Sequence, residues 1–357
     1  MKKLIKFLFL FILIIVLALG LFLSWITIVE YSPDNKEPIA EKSMLKHQPL
    51  QSDTFNIINW NIGYGGLGSE MDFFYDEGTN VRSTREKVRE HVNNIKQFIK
   101  NNNYVDFWLI QEVDINSKRS WEINEVEEIS EILNKNYYTV FAKNYDVPFV
   151  PVPFTNPMGH AKSGLLSASR YPFKEATRFA LPLIAPWPQR LFLLHRCYAL
   201  LRFPLETGNE LVVINTHNTA YVYDSDLRMK ELNIIKQKML DEYKAGNYVV
   251  VGGDWNQNPP DFAPEGDFSG HHFVDAPLKL DDGVFPKDWT VAFDNKAPTN
   301  RNNNKPFVKG ENGTTVIDFF VLSPNIELLK IDNIDLEFRD SDHNPVYTKI
   351  RLKKLEP

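Results

Sequence analysis

The sequence predicts an α+β domain of packed β-sheets with helices outside, preceded by one membrane-spanning helix. Apolar runs of strand length outnumber amphipathic helical patterns. The helical patterns fall between strands early in the chain and then thin out, which does not suit a simple doubly wound sheet. An uncharged apolar stretch at the N-terminus stands apart from the rest. With 43% apolar and 13% aromatic residues in 357, the chain can bury a sizeable core in one large domain or two small ones.

Lys2, Lys3 and Lys6 precede a stretch from Phe7 to Val29 with no charged residue, long enough to span a bilayer. Secretory apolar cores are usually shorter, and no small-x-small cleavage site follows cleanly. Residues 1–30 therefore read as a transmembrane anchor or signal-anchor, with a cleaved signal peptide as the competing reading. Both export the domain. The lysines favour the N-terminus inside, giving a single-pass protein of the cell membrane with its folded domain extracytoplasmic. Residues 31–52, rich in Pro33, Asp34, Asn35, Lys36, Glu37 and Pro38, read as a polar linker to a domain at 53–357.

Phe55 to Ile62 reads as a strand running into a Gly-rich loop at 63–68, taken as a flexible rim loop. Ser83 and Glu86 suggest a capping box before a helix whose stripe is Val88, Val92, Ile95 and Ile99. Val105 to Ile110 suits a buried strand ending at Glu112. A second helix at 125–134 carries Val126, Ile129, Ile132 and Leu133 on one face. Strands are expected at 138–142, 164–167, 198–203 and 211–216, then a helix at 226–245 stopped by Gly246. Strands at 248–251, 316–322 and 345–352 complete the set. The stretches 63–82, 144–162, 182–190 and 257–313 read as irregular, and the last is long enough to be a functional insertion.

A net charge of −6 gives no general basic footprint for tight nucleic-acid binding, although a local groove can hide in an acidic total. The single Cys197 excludes an intrachain disulfide and lies in an apolar run, as a core residue would. The sequon Asn312-Gly313-Thr314 carries no information if the source is bacterial.

The chemistry gathers where apolar runs end. Asp254 and Asn256 flank Trp255 after Tyr248–Gly253, and alternation on an extended segment would point both to one side. The carboxylate suits taking a proton from water, and the amide suits donating to a phosphoryl oxygen. A strand-end turn explains the pair as well when it is taken alone. His343 follows Asp340, Ser341 and Asp342, a pattern also usual for surface histidines. Asp318 changes the balance, because it interrupts Thr315–Leu322, where an unpaired charge would be costly. A buried carboxylate that orients an imidazole and raises its pKa is the economical explanation. Glu112 is acidic where Mg²⁺ takes a hard ligand. Asn61 and His217 are weaker signals, since a turn cap and a satisfied strand-end histidine explain them. The loop 63–68 lacks the Gly-Lys-Ser/Thr of a phosphate-binding loop. The segments Phe73–Tyr75 and Val147–Phe154 read as buried loop anchors, with bases or lipid as other occupants.

The ordered set Asn59-Trp60-Asn61, Leu109–Glu112, Ser163–Ser167 with Tyr171-Pro172, Asn215-Thr216-His217, Gly252–Asn256, Val316–Asp318 and Asp340–Asn344 resembles the endonuclease/exonuclease/phosphatase superfamily, the deoxyribonuclease-I-like group. It covers nearly the whole chain after residue 53. The resemblance implies a four-layer α/β/β/α sandwich of two mixed sheets flanked by helices. It implies that Glu112 holds Mg²⁺, or Mn²⁺ in its place, with Asn61 and Asp342 at the metal end. By the same resemblance Asp254 aligns or deprotonates water, Asn256 and His217 stabilise the transition state, and His343 paired with Asp318 acts as general acid/base or phosphate-oxygen donor. The family's abasic-site nucleases also carry a catalytic tyrosine, for which Tyr145 is the nearest candidate.

The expected activity is metal-dependent hydrolysis of phosphodiester or phosphomonoester bonds, with nuclease action the family's commonest. A sphingomyelinase-like phospholipid phosphodiesterase is the main rival, and a sugar or inositol phosphatase the third. A catalytically idle, membrane-tethered binding domain is the reading from another class. Expected partners are the phosphate-ester substrate, nucleic acid or a phospholipid headgroup, and the membrane through the N-terminal helix. No obligate protein partner is indicated.

Overall fold

The computed structural model describes residues 1–41, 46, 48–133, 136–220, 225–260, 262–265 and 279–354. Its helices are α1 (Lys2–Ile28), α2 (Arg85–Asn101), α3 (Glu125–Leu133) and α4 (Ser225–Lys244). The strands are β1 (Lys36–Pro38), β2 (Thr54–Asn61), β3 (Phe107–Asp114), β4 (Tyr138–Val150), β5 (Gly159–Ser169), β6 (Glu175–Ala180), β7 (Cys197–Pro204) and β8 (Glu210–His217). They continue with β9 (Tyr248–Asp254), β10 (Thr290–Ala292), β11 (Asn300–Arg301), β12 (Thr314–Thr315), β13 (Asp318–Leu322), β14 (Ile326–Asn333) and β15 (Val346–Leu352).

Two mixed sheets pack face to face. One runs β1-β6-β7-β8-β9-β13-β10 and the other β14-β15-β2-β3-β5-β4. The parallel pairs are β2 with β3 and β8 with β9. A parallel pair needs a crossover, and α2 and α4 supply the two. Phe55, Ile57, Phe107 and Leu109 meet Leu201, Phe203, Val213, Val250 and Phe320 between the sheets. Neighbouring residues point the other way and bury the helices. Val249 and Val251 receive Leu232, Ile235 and Met239 of α4, while Ile58, Trp108 and Ile110 receive Ile95 and Ile99 of α2 and Ile129 and Leu133 of α3. Strands apolar on both faces follow from being covered on both. The result is the four-layer α/β/β/α sandwich, and Cys197 lies buried within it.

Several local expectations are corrected. The cap of α2 is Thr84, which accepts from Lys87 N, while Ser83 instead donates to Glu70. The loop 63–68 is not a flexible rim: every residue in it is buried. Arg301 donates to the carbonyls of Leu67, Gly68 and Met71, and His91 Nδ1 lies 2.9 Å from the Gly65 carbonyl. Most of 144–162 is strand, in β4 and β5, and β6 and β14 occupy segments where no strand was expected. The linker contributes β1, paired with β6. Asn134, expected to end the second helix, lies outside the described residues, as do 261 and 266–278 of the long insertion. Phe73, Val147 and Val150 are buried anchors as expected, but Phe154 is 87% exposed.

Candidate active site

Strand pairing brings the predicted groups together. Asp254 ends β9, with His217 of β8 and Asp318 of β13 as its direct partners on either side. The second sheet delivers Asn61 at the end of β2, Glu112 in β3 and the 341–344 segment just before β15. These ends surround a cleft of about 330 Å³, lined among others by Glu112, His217, Asp254, Asn256, Asp342 and His343.

Glu112 reaches the cleft through a bulge in β3, where its φ is +53° and the pairing with β5 shifts register. A bulge re-aims a side chain out of the strand's alternation. Asn256 also departs from the expected alternation. Its φ is +51°, its N–H donates to Asp254 Oδ1 at 2.9 Å, and its Nδ2 donates to the Asn218 carbonyl. The strand ends at Asp254, so a left-handed turn rather than an extended segment carries Asn256 to the cleft. Gly63 is required nearby, since its φ is +50° and a Cβ would come within 2.9 Å of Asp342 Oδ1.

Asp254 is the hub. Its Oδ2 accepts from Asn61 Nδ2 at 3.0 Å and lies 3.4 Å from His217 Nε2 and 3.8 Å from His343 Nε2. Burial pushes its pKa well up, nearby Asp318 adds to the rise, and His343 opposes it. Asn61 Nδ2 also donates to Glu112 at 3.3 Å, while its Oδ1 accepts from Gly63 N. Burial raises the Glu112 pKa, Arg119 counters, and Asp342 adds to the rise. His217 Nε2 stands 3.7 Å from Glu112 Oε1, and its Nδ1 has no partner among the described residues. Burial, reinforced by Arg196 and His343, holds His217 far below the usual imidazole range, so the ring is neutral.

His343 Nδ1 meets Asp318 Oδ2 at 2.7 Å. Burial alone would lower its pKa, but Asp318 and Asp254 overcome that and lift it to about 10. The buried carboxylate in the apolar run thus has its imidazole. Behind the site, Gln111 Nε2 bridges Asn59 Oδ1 and Asn215 Oδ1, each at 2.7 Å, and Asn215 donates to Ser167. This buried amide set pins one sheet to the other below the cleft.

Four site residues escaped the sequence reading. Asn300 Nδ2 lies 3.0 Å from His343 Nε2, and Asn303 Nδ2 donates to Asp342 Oδ2 at 2.7 Å. Both come from the long insertion, whose functional character was the only signal. Arg196 lines the cleft, 8% exposed, with Nη1 lacking a partner among the described residues. Its signal was a charge directly before a buried strand. Arg119 also lines the cleft, though Asp114 holds it by two bonds. Tyr145 lines the cleft too, but its hydroxyl is spent on the Phe192 carbonyl.

Asp254, Asp318 and His343 offer ligand atoms all within 4.8 Å of one another. In that group His343 and Asp318 already share a hydrogen bond. Glu112 and Asp342 present hard oxygen donors with no lysine among the described residues lining the cleft, and Asp342 disfavours the charge of Glu112. That donor chemistry suits a divalent cation.

Residues 58–343 match the Endonuclease/Exonuclease/phosphatase family, and the chain belongs to it. Members are hydrolases acting on phosphoesters, and the family is generally divalent-metal dependent. The structure is similar to the endonuclease/exonuclease/phosphatase from Bacteroides vulgatus, at 16% identity and TM-score 0.53, covering 84% of this chain and 99% of that one. It is similar to ANGEL2, described as a 2′,3′-cyclic phosphatase, at 14% identity and TM-score 0.55, covering 91% and 100%. It is also similar to truncated Caenorhabditis elegans TDP2, at 15% identity and TM-score 0.50, covering 84% and 98%. No curated protein matches the chain.

Proposed function

We propose that this chain is a membrane-anchored, extracytoplasmic hydrolase that cleaves a phosphodiester by direct attack of water, assisted by Mg²⁺ or Mn²⁺. The observation that carries this reading is Asp254, held by Asn61 between two histidines of opposite character, one neutral and one backed by a buried carboxylate. A bound ion would supply positive charge to the phosphoryl oxygens. Glu112 and Asp342 would hold it, with Asn61 spanning Glu112 and Asp254 to fix both.

The raised pKa of Asp254 makes it a better proton acceptor than an ordinary carboxylate, suited to water beside it. His217, uncharged, offers a hydrogen bond to a phosphoryl oxygen, and the Asn256 turn stands on the same side. His343 presents Nε2 to the cleft while Nδ1 is fixed by Asp318, the arrangement for passing a proton to the departing oxygen. A diester substrate is in keeping with the cyclic phosphate named for ANGEL2.

The full-length chain in detergent should hydrolyse bis(p-nitrophenyl) phosphate with Mg²⁺ or Mn²⁺ and stop with EDTA. Asp254→Ala and His343→Ala should each lower kcat about 10²- to 10⁴-fold while the fold, followed by circular dichroism, is kept. Equal low turnover in wild type and both variants would remove the enzyme reading.

A further inference from the structure

Phe192 works on two fronts. One side lines the catalytic cleft with Leu183, Ile184, Leu193 and Leu194. The other receives the N-terminal helix: the ring of Phe22 in α1 stacks on Phe192 at 6.3 Å and 14°, and meets Phe149 edge-on at 6.1 Å. Further up, Thr27 accepts from Trp187 Nε1 at 3.1 Å, and Glu30 pairs with Arg190 at 3.2 Å. The segment 181–194 is thus a thin partition with the apolar helix on one side and the cleft on the other.

Depth follows from helix geometry. Six residues separate Phe22 from Ile28 at the end of α1. At a rise of about 1.5 Å per residue, Phe22 lies roughly 9 Å below the outer end of the span. A usual tilt of about 20° changes that by less than about 1 Å. Phe149 and Phe192, level with Phe22, therefore sit within the leaflet if α1 spans the membrane. Composition agrees. Arg190, the one charged residue in 181–194, is paired, and 147–154 has none. Trp187 is 54% exposed and Phe154, on the turn after Phe149, 87%. Exposed apolar groups gathered beside a membrane helix mark a lipid-facing surface, and Trp25 with Trp187 forms the aromatic level expected at the interface.

We infer that 181–194 and 147–154 are seated in the outer leaflet beside α1, and that the substrate is a phosphate ester of a membrane lipid. Its phosphate lies at Asp254 and His343, and its apolar part lies along Leu183, Ile184, Phe192, Leu193 and Leu194. This rests on the hydrolase reading above. In the reaction a water oxygen bonds to phosphorus, one P–O ester bond breaks, and the departing oxygen takes up the proton released by the water. Buried arginines in the cleft and the lack of lysine among its described lining residues suit a single headgroup better than a long polyanion.

The test reconstitutes the full chain in vesicles containing sphingomyelin, phosphatidylglycerol or phosphatidic acid, with Mg²⁺ or Mn²⁺, beside soluble bis(p-nitrophenyl) phosphate and plasmid DNA. At least one vesicle lipid should be hydrolysed with kcat/KM tenfold or more above the soluble diester. Trp187→Asp and Phe154→Asp should lower lipid hydrolysis tenfold or more and leave the soluble diester unchanged. A polarity-sensitive label at Phe154→Cys should be quenched by lipids spin-labelled on the acyl chain. Hydrolysis of the soluble diester or DNA, sensitive to Asp254→Ala, with no vesicle lipid turned over, would overturn the inference and leave the hydrolase reading standing. Lack of quenching would overturn the seating. Hydrolysis of no substrate at all would overturn both.

Discussion

Asp318 acts from behind the cleft wall. It does not line the cleft, yet its 2.7 Å bond to His343 Nδ1 leaves Nε2 toward the cleft. Asp318→Asn keeps the shape and removes the charge that favours a protonated ring, so kcat should fall about 10²-fold or more with KM little changed. Asp318 was legible in the sequence because a carboxylate inside Thr315–Leu322 demanded a partner. Asp254, Glu112 and His217 were legible in the same way, as polar groups closing apolar runs. Asn300 and Asn303 were not. In Asn300–Asn304 an arginine and four asparagines read as an ordinary polar loop, and nothing local says that two of those amides touch His343 and Asp342. The alternation that placed Asn256 gave a correct neighbourhood for a wrong reason, since the left-handed turn depends on Asp254 accepting its N–H.

At the scale of elements, the Gly-rich loop is held to α2 by a titratable pair. His91 Nε2 lies 3.4 Å from Glu70 Oε2, and its other nitrogen meets the Gly65 carbonyl. Burial opposes both charges, but the mutual bond wins, lowering Glu70 to about 2 and raising His91 above its ordinary 6.5. A raised histidine stabilises fully below 6.5, and that contribution is lost as pH climbs through its folded value. A lowered carboxylate stabilises fully above its ordinary 4.5, and that contribution is lost as pH falls toward 2. The pair therefore contributes most between pH 4.5 and 6.5. The melting-temperature gap between wild type and His91→Gln should be widest in that window and narrow on both sides; a gap independent of pH would contradict it. Strand prediction failed in a telling place. The stretch 144–162 read as irregular, yet β4 runs on through Pro148 to Val150, because it is at the edge of its sheet, where a missing N–H costs no ladder bond. The α2 stripe had no such ambiguity, and all four of its residues are buried.

For the whole molecule, packed sheets with helices outside were legible because strand-length apolar runs outnumber helical patterns. The four-layer order came from the family resemblance, while the parallel pairs and sheet-to-sheet pairing needed the structure. Closing the sandwich puts Glu112 and Asp342 in one cleft, and a cation there should stabilise the folded state independently of turnover. Saturating Mg²⁺ at about a hundred times its Kd adds about 2.7 kcal/mol, several degrees in melting temperature over EDTA. Glu112→Gln should lose most of that difference. In the proposed reaction, water activated beside Asp254 attacks phosphorus directly. The measurement that reaches it is hydrolysis of bis(p-nitrophenyl) phosphate in ¹⁸O-labelled water by wild type and Asp254→Asn, followed by mass spectrometry of the p-nitrophenyl phosphate released. One labelled oxygen should enter the phosphoryl product, about 10²-fold or more slower in the variant than in wild type. Label in the nitrophenol instead, or incorporation at the same rate in Asp254→Asn, would contradict it.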